Sequence, residues 1–266
     1  MSDIKVRTVI DFMHEVAPNA YQEDYDNSGL LVGSYDDTVK GVLVSLDVTE
    51  AVIEEAISLG CNVIVSHHPI IFSGVKRLTG SNYIQRCITA AIKNDINLFA
   101  IHTNLDNVYD NGVNTNIAKI LGLEEVRILR PKLEHTGQAV GSGIVGKIAA
   151  MDPMDFLHHL KDKMAVSCIK HTTIIDKKIE KVAVCGGSGR FLLPDAIKAG
   201  ADIFISSDFK YHEYFDADGH IIIADIGHYE SEQYTIQLLG KLLSGKFSTF
   251  AAHYTKVNTN PVSYLK

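Results

Sequence analysis

"EAISLGCNVIVSHH", residues 55–68, is the stretch whose reading sets the architecture. It begins inside a helical pattern that ends at Gly60, a residue suited to the left-handed turn that closes a helix. "NVIVS" (62–66) is then a short, nearly continuous apolar run, the pattern of a strand buried on both faces. His67, His68 and Pro69 end it. Upstream, "GVLVSLD" (41–47) reads as another buried strand. "TEAVIEEAISLG" (49–60) is the helix between them, with Thr49 as N-cap and Val52, Ile53, Ala56 and Ile57 as its apolar stripe. Strand, crossover helix and strand make a β-α-β unit with parallel strands. A helix over 82–94 and the strand "NLFAIH" (97–102) repeat the pattern. Residues 5–17 read as an amphipathic helix with Val9, Met13 and Val16 on one face. The fold class is α/β.

The opening stretch recurs. "DAIKAGADIFISSD" (195–208) aligns with it without a gap, and Ala56, Ile57, Gly60 and Ser66 return as Ala196, Ile197, Gly200 and Ser206. "GVLVSLD" has a counterpart in "KVAVCGG" (181–187), and "LFAIH" (98–102) in "IIIAD" (221–225). Two related α/β halves are expected from internal duplication, residues 1–130 and 131–266, with C-terminal residues as candidates to pack back on the first half. The stretch 131–180 holds two strand-like segments and one helix, "PMDFLHHLKDKM".

With 266 residues, of which 46% are hydrophobic, the chain can bury a substantial core. A formal charge of −7 and a pI near 5.9 argue against a nucleic-acid scaffold, because phosphate binding needs a basic face. No apolar run is long enough to span a membrane, and "MSDIKVRTVIDFMHEV" does not read as a signal peptide. The cysteines at 61, 87, 168 and 185 form no CxxC and read as reduced thiols of a cytoplasmic protein.

Ligands of open parallel sheets bind outside the carboxyl ends of the strands. The polar residues expected at those ends are His67 and His68; His102, with Asp106 following in "HTNLD"; Asp208; and Asp225, His228 and Glu232 in "IIIADIGHYESE". His228 and Glu232 stand i, i+4, on one face if a helical turn begins there. Pro69 biases His68 to an extended conformation, and a bend there lets both adjacent rings reach one side. Each residue alone has a plainer reading, a hydrogen-bonded strand end or a solvated helix face. Their convergence on one edge is what points to a metal. Imidazole and carboxylate donors suit zinc, iron or manganese, and three histidines with two carboxylates suit a pair of ions. The His158-His159 dipeptide lies within a helix and reads as surface. "CGGSGR" (185–190) reads either as a phosphate-cradling loop or as an ordinary strand-to-helix turn.

"EDYDNSGLLVG", "SLDVTEAVIEEA", "VSHHPIIF", "IHTNLDN", "VCGGSG" and "DIGHYESE" follow one another in an order that resembles the Nif3-like proteins, often labelled GTP cyclohydrolase 1 type 2 homologues. The resemblance covers nearly the whole chain. It implies two α/β halves around a dinuclear metal centre, two divalent ions per chain, and a toroidal homohexamer. The ligands it implies are His67, His68, Asp106, His228 and Glu232, with His102 beside the metals and Asp208 and His212 in a further polar motif near the cleft. Tyr25 stands where the family usually has Trp, and "SSD" (206–208) where Thr-Gly-Asp is usual. The stretch 131–180 is too short for the inserted domain of some relatives, so the chain resembles the compact form.

Two functions follow. One is a metal-dependent hydrolase acting on a small, nucleotide-like molecule, with metals that bring the pKa of a water towards neutrality. The other is a non-enzymatic metal-holding interaction or regulatory protein. In either, metal is expected to be retained at neutral pH and released in the acidic range, as protons compete for the histidines.

Overall fold

The computed structural model describes residues 3–132 and 139–265. In chain order the helices are α1 (Val6–Val16), α2 (Glu50–Ser58), α3 (Tyr83–Lys93), α4 (Thr103–Asn107), α5 (Val113–Leu121), α6 (Pro153–Lys163), α7 (Leu193–Lys198), α8 (His228–Glu232) and α9 (Thr235–Lys246). The strands are β1 (Gly29–Val32), β2 (Val42–Ser45), β3 (Val63–Ser66), β4 (Asn97–Ala100), β5 (Glu124–Pro131), β6 (Gly141–Met151), β7 (Lys170–His171), β8 (Ile179–Val184), β9 (Ile203–Ser206), β10 (Ile222–Asp225) and β11 (Ala252–Tyr254). The chain forms two compact units, Met1–Leu105 with Thr235–Pro261, and Asp106–Tyr234 with Val262–Lys266. The division drawn from sequence at 130/131 falls inside β5. Residues 133–138 of the stretch 131–180 lie outside the described residues; the rest of that stretch supplies β6, α6 and β7.

The first unit is a five-stranded sheet in the order β1-β4-β3-β2-β11. β2, β3 and β4 are parallel, as the β-α-β reading requires, and every residue in them is buried. Leu43, Ile64 and Leu98 point to one face, where Val52, Ile53 and Ala56 of α2 and Cys87 and Ala91 of α3 cover them. On α1, Val6, Val9, Ile10 and Met13 are buried, and its Phe12 ring meets Phe247 edge-on at 5.6 Å. Thr49 caps α2, accepting from the Val52 N–H at 3.3 Å. The stripe is narrower than its spacing suggests: Ile57 is 46% exposed. β11 adds to the sheet parallel to β2, and Thr235–Pro261 belongs to the first unit.

The second unit is a six-stranded mixed sheet in the order β5-β6-β8-β9-β10-β7. Its β8, β9 and β10 are parallel. Leu129, Val145, Ala183, Phe204 and Ile223 form one buried face with Leu192, Leu193 and Ala196.

The duplication extends to single hydrogen bonds. In the first unit Leu59 N–H donates to Glu55 O, Gly60 N–H to Ile57 O and Cys61 N–H to Ala56 O. In the second, Ala199 N–H donates to Asp195 O, Gly200 N–H to Ile197 O and Ala201 N–H to Ala196 O. Gly60 and Gly200 share a φ of +69°. Register agrees too, with Val42 opposite Val63 and Val182 opposite Ile203. Asn62 and Asp202 each tie down the strand beside them, through Lys40 N–H at 2.8 Å and Lys181 N–H at 2.8 Å. One alignment needs correcting. Val63 pairs with Asn97 and Ile203 with Ile222, so "LFAIH" matches residues 223–227 and not 221–225. Two apolar runs without a landmark residue slide past one another in sequence, and only the ladder fixes their register.

Candidate metal centre

His67 and His68 leave β3 at its carboxyl end, and His102 leaves β4 at the same edge of the same sheet. Successive side chains of a strand face opposite ways. The regular ladder ends at Ser66, and beyond it both rings come to one side: the His67 and His68 centroids are 4.9 Å apart, and each lies 5.3 Å from His102. Each ring offers a nitrogen, and these atoms all lie within 4.8 Å of one another, a group that could hold a metal ion.

Each of these rings is held through Nδ1. His67 Nδ1 meets Ile101 O at 2.9 Å, His68 Nδ1 meets Asp47 Oδ1 at 2.7 Å, and His102 Nδ1 meets Asp26 Oδ1 at 2.7 Å. A carbonyl or carboxylate oxygen demands a donor, so Nδ1 carries the proton and Nε2 the lone pair of each neutral ring. That is the tautomer and the second-layer contact usual for metal-ligating histidine. The Asp26 side chain is fully buried. It accepts from Thr103 N–H at 3.0 Å, Asn27 N–H at 2.7 Å, Ser28 Oγ at 3.1 Å and the Thr103 hydroxyl. Burial works against its charge, but His102 and these donors overcome that, and the carboxyl sits well below the usual range. Asp47 also accepts from Thr259 Oγ1 at 2.5 Å.

The second unit builds a carboxylate-rich counterpart. α8 begins at His228 and holds Glu232 one turn on, so His228 Nε2 lies 3.1 Å from Glu232 Oε2. The Asp106 and Glu232 carboxylate oxygens fall within 4.8 Å of each other. His228 Nδ1 meets Asp208 Oδ2 at 2.6 Å. Burial alone would lower the His228 pKa, yet hydrogen bonds and charge from Asp208 and Glu232 push it up to about 11. Asp208 reaches the ring from a left-handed backbone, φ +62°.

"CGGSGR" packs against the Glu232 carboxylate. Its three glycine N–H groups are spent internally: Gly186 donates to Asn114 Oδ1, Gly187 to Ser231 Oγ and Gly189 to Ser206 Oγ, each at 2.9 Å. Gly187 has φ +64°, and a Cβ there would collide with Glu232 Oε1. The glycine lets the buried carboxylate close against the loop.

Asp225 is structural. It is 1% exposed and takes Phe209 N–H, Tyr214 OH, Gly227 N–H and the Lys170 ammonium at 2.8–3.2 Å. His212 lies exposed between Tyr211 and Phe215, with ring centroids 5.1 and 6.3 Å away. His158 is exposed as expected, whereas His159 is half-buried and bonds to Leu121 O at 3.0 Å. Sequence reasoning missed Asp26 and Asp47. Asp47 follows β2 at the same carboxyl edge that marked the histidines, so the rule already in use reaches it. Asp26 precedes β1, the antiparallel strand, and no edge rule points to it.

The Duf34/NIF3 (NGG1p interacting factor 3) family profile matches residues 4–261. A Clostridium acetobutylicum protein named GTP cyclohydrolase 1 type 2 homolog is 33% identical over 261 residues, spanning 96% of this chain and 94% of that one. A Streptococcus pneumoniae protein of the same name is 31% identical, spanning 89% of each. The crystal structure of a Staphylococcus aureus hypothetical protein superposes with a TM-score of 0.92 at 31% identity, covering 99% of this chain and 100% of the other.

Proposed function

Because this chain belongs to the Duf34/NIF3 family, we propose that it is a metal-dependent hydrolase with His67, His68, Asp106, His228 and Glu232 as ligands of two divalent ions, zinc, iron or manganese. The observation that carries this reading is the cluster of three imidazoles, each oriented through Nδ1 so that Nε2 bears the lone pair. The donor set of nitrogens and carboxylates suits those metals. Bound divalent ions would supply Lewis acidity toward an electrophilic carbon or phosphorus centre. Asp26 and Asp47 hold the His102 and His68 rings at fixed angles. The Asp208–His228–Glu232 chain holds a proton at His228 that a metal would displace.

Hydrolysis is supported by the name its relatives carry, GTP cyclohydrolase 1 type 2 homolog, and a small nucleotide-like substrate is the proposal that goes with it. We propose a cytoplasmic homohexamer. Four free cysteines suit a reducing compartment, and no helix among the described residues is long and apolar enough to cross a membrane. Light scattering that finds a monomer at micromolar concentration rejects the hexamer.

The test of function is elemental analysis of protein purified without added metal, followed by a hydrolase screen. Turnover that stops on chelation and returns with metal supports the proposal. Full metal content with no turnover across nucleotides, phosphoesters and amides would instead leave a metal-holding regulatory protein.

A further inference from the structure

Two large aromatic side chains stand in the open beside the histidine cluster. Tyr25 is 63% exposed and Phe72 is 48% exposed. Their rings are within 23° of parallel, with centroids 6.3 Å apart, and Phe72 meets the His102 ring edge-on at 5.8 Å. Neither ring is needed for the core. Both are held in place by their neighbours in the chain. Asp26, next to Tyr25, is locked under His102 and Thr103. Asn27 Nδ2 donates to Ile71 O at 2.7 Å and so ties the segment that carries Tyr25 to the one that carries Phe72. The loop that presents Phe72 runs from the end of β3 at Ser66 to the start of α3 at Tyr83. Connections longer than about 12–15 residues without regular structure are uncommon and usually functional. Its exposed residues include Val75 and Leu78 as well.

Exposed, pre-set, near-parallel rings suit one kind of partner: a planar π-system, which gains dispersion and quadrupole attraction by stacking and requires no matched hydrogen-bond pattern. We propose that Tyr25 and Phe72 form the stacking platform for a planar heteroaromatic group of the substrate, a nucleobase-like ring, beside the His67–His68–His102 cluster. The proposal rests on the hydrolase reading above and adds the residues that receive the planar ring of that substrate. Tyr25 and Phe72 are specificity-determining residues; neither is a ligand of the metals.

The chain has no Trp, so Tyr25→Trp gives a single-tryptophan reporter at the platform. With metal-loaded protein, we expect its emission to be quenched by GMP or AMP, with UMP as a smaller ring and ribose 5-phosphate as the control that lacks a base. Affinity for ribose 5-phosphate should be at least about tenfold weaker, and Phe72→Ala in the same background should weaken nucleotide binding about tenfold. Equilibrium dialysis of the wild-type chain with GMP and AMP should give the same order of affinity. The proposal is overturned if no nucleotide quenches, if ribose 5-phosphate binds as tightly as GMP, if Phe72→Ala changes nothing, or if only the tryptophan variant binds. Metal content is read on every sample. Failure of stacking in protein that retains its metal leaves the metal-site reading standing, and loss of metal from wild type is a separate result.

Discussion

His67, His68 and His102 each commit Nδ1 to an oxygen, and the side chain of Asp26, the partner of His102, is fully enclosed. Its carboxylate accepts from the His102 ring, Thr103 N–H and hydroxyl, Asn27 N–H and Ser28 hydroxyl. Asp26→Asn would turn an NH2 group toward one of these donors. We expect metal affinity to fall by about 10–100-fold, as outer-layer substitutions typically do. Competition with a chelator measures it, and an unchanged affinity would remove Asp26 from the site. The pKa of Asp26 is depressed, so its charge stabilises the fold above the ordinary carboxylate range and that contribution is lost as pH falls below it. His228 behaves in the opposite sense. With a pKa near 11 in the metal-free chain, its charged form stabilises the fold fully below the ordinary histidine value and ceases to do so as pH rises through about 11. A metal at Nε2 must displace that proton. We therefore expect about one proton released at His228 per binding event between pH ~7 and ~9, with apparent affinity rising up to about tenfold per pH unit. Metal titration in weak buffer counts the protons. A pH-independent affinity above pH 7 would contradict this reading, as would a His228→Ala variant that releases as many protons as wild type. The sequence alone placed proton competition only in the acidic range; two flanking carboxylates extend it upward.

At the scale of elements, the same helix-to-strand turn is built twice. Gly60 and Gly200 both take φ +69°, and neither has an atom within 3.4 Å of where a Cβ would stand. Substitution to alanine therefore meets no steric barrier and tests conformation alone. A left-handed backbone costs a Cβ-bearing residue about 1–2 kcal/mol. Gly60→Ala and Gly200→Ala are each expected to lower stability by about 1 kcal/mol, and by similar amounts, in urea unfolding followed by circular dichroism. A large difference between the two would show that the turns are alike in geometry but not in energetic role.

For the molecule as a whole, the first unit is not made from one continuous stretch. Thr235–Pro261 returns to it after Asp106–Tyr234 of the second unit, and β11 pairs with β2, whose residues are all buried. Truncation after Ala251 removes β11 and leaves β2 as an unpaired edge of apolar residues. Such an edge invites association with other chains. We expect the truncated protein to lose most of its soluble fraction, whereas truncation after Pro261 should leave the first unit's sheet intact. Comparison of soluble yields and far-UV spectra checks this. Equal solubility of the two truncations would show that β11 is dispensable.

The α/β class, the parallel β-α-β order and the duplication were legible in residues 41–102 and 181–208, because buried parallel strands read as continuous apolar runs and glycine marks the helix ends. The edge rule reached His67, His68, His102, His228, Glu232 and Asp208 for the same reason: local sequence fixes where a strand stops, and the stop fixes the edge. Sequence had less hold on what surrounds those residues. Asp225 ends β10 as surely as His102 follows β4, yet it is consumed by Tyr214, Lys170 and two backbone N–H groups. Asp26 carries no edge signal and becomes the anchor of His102 across 76 positions of chain. "CGGSGR" reads equally well as a phosphate loop until Asn114, Ser231 and Ser206 take its glycine N–H groups. Helix, strand and edge depend on neighbours in the chain, which sequence lists. Which oxygen meets which nitrogen depends on neighbours in space, and only the folded chain supplies those.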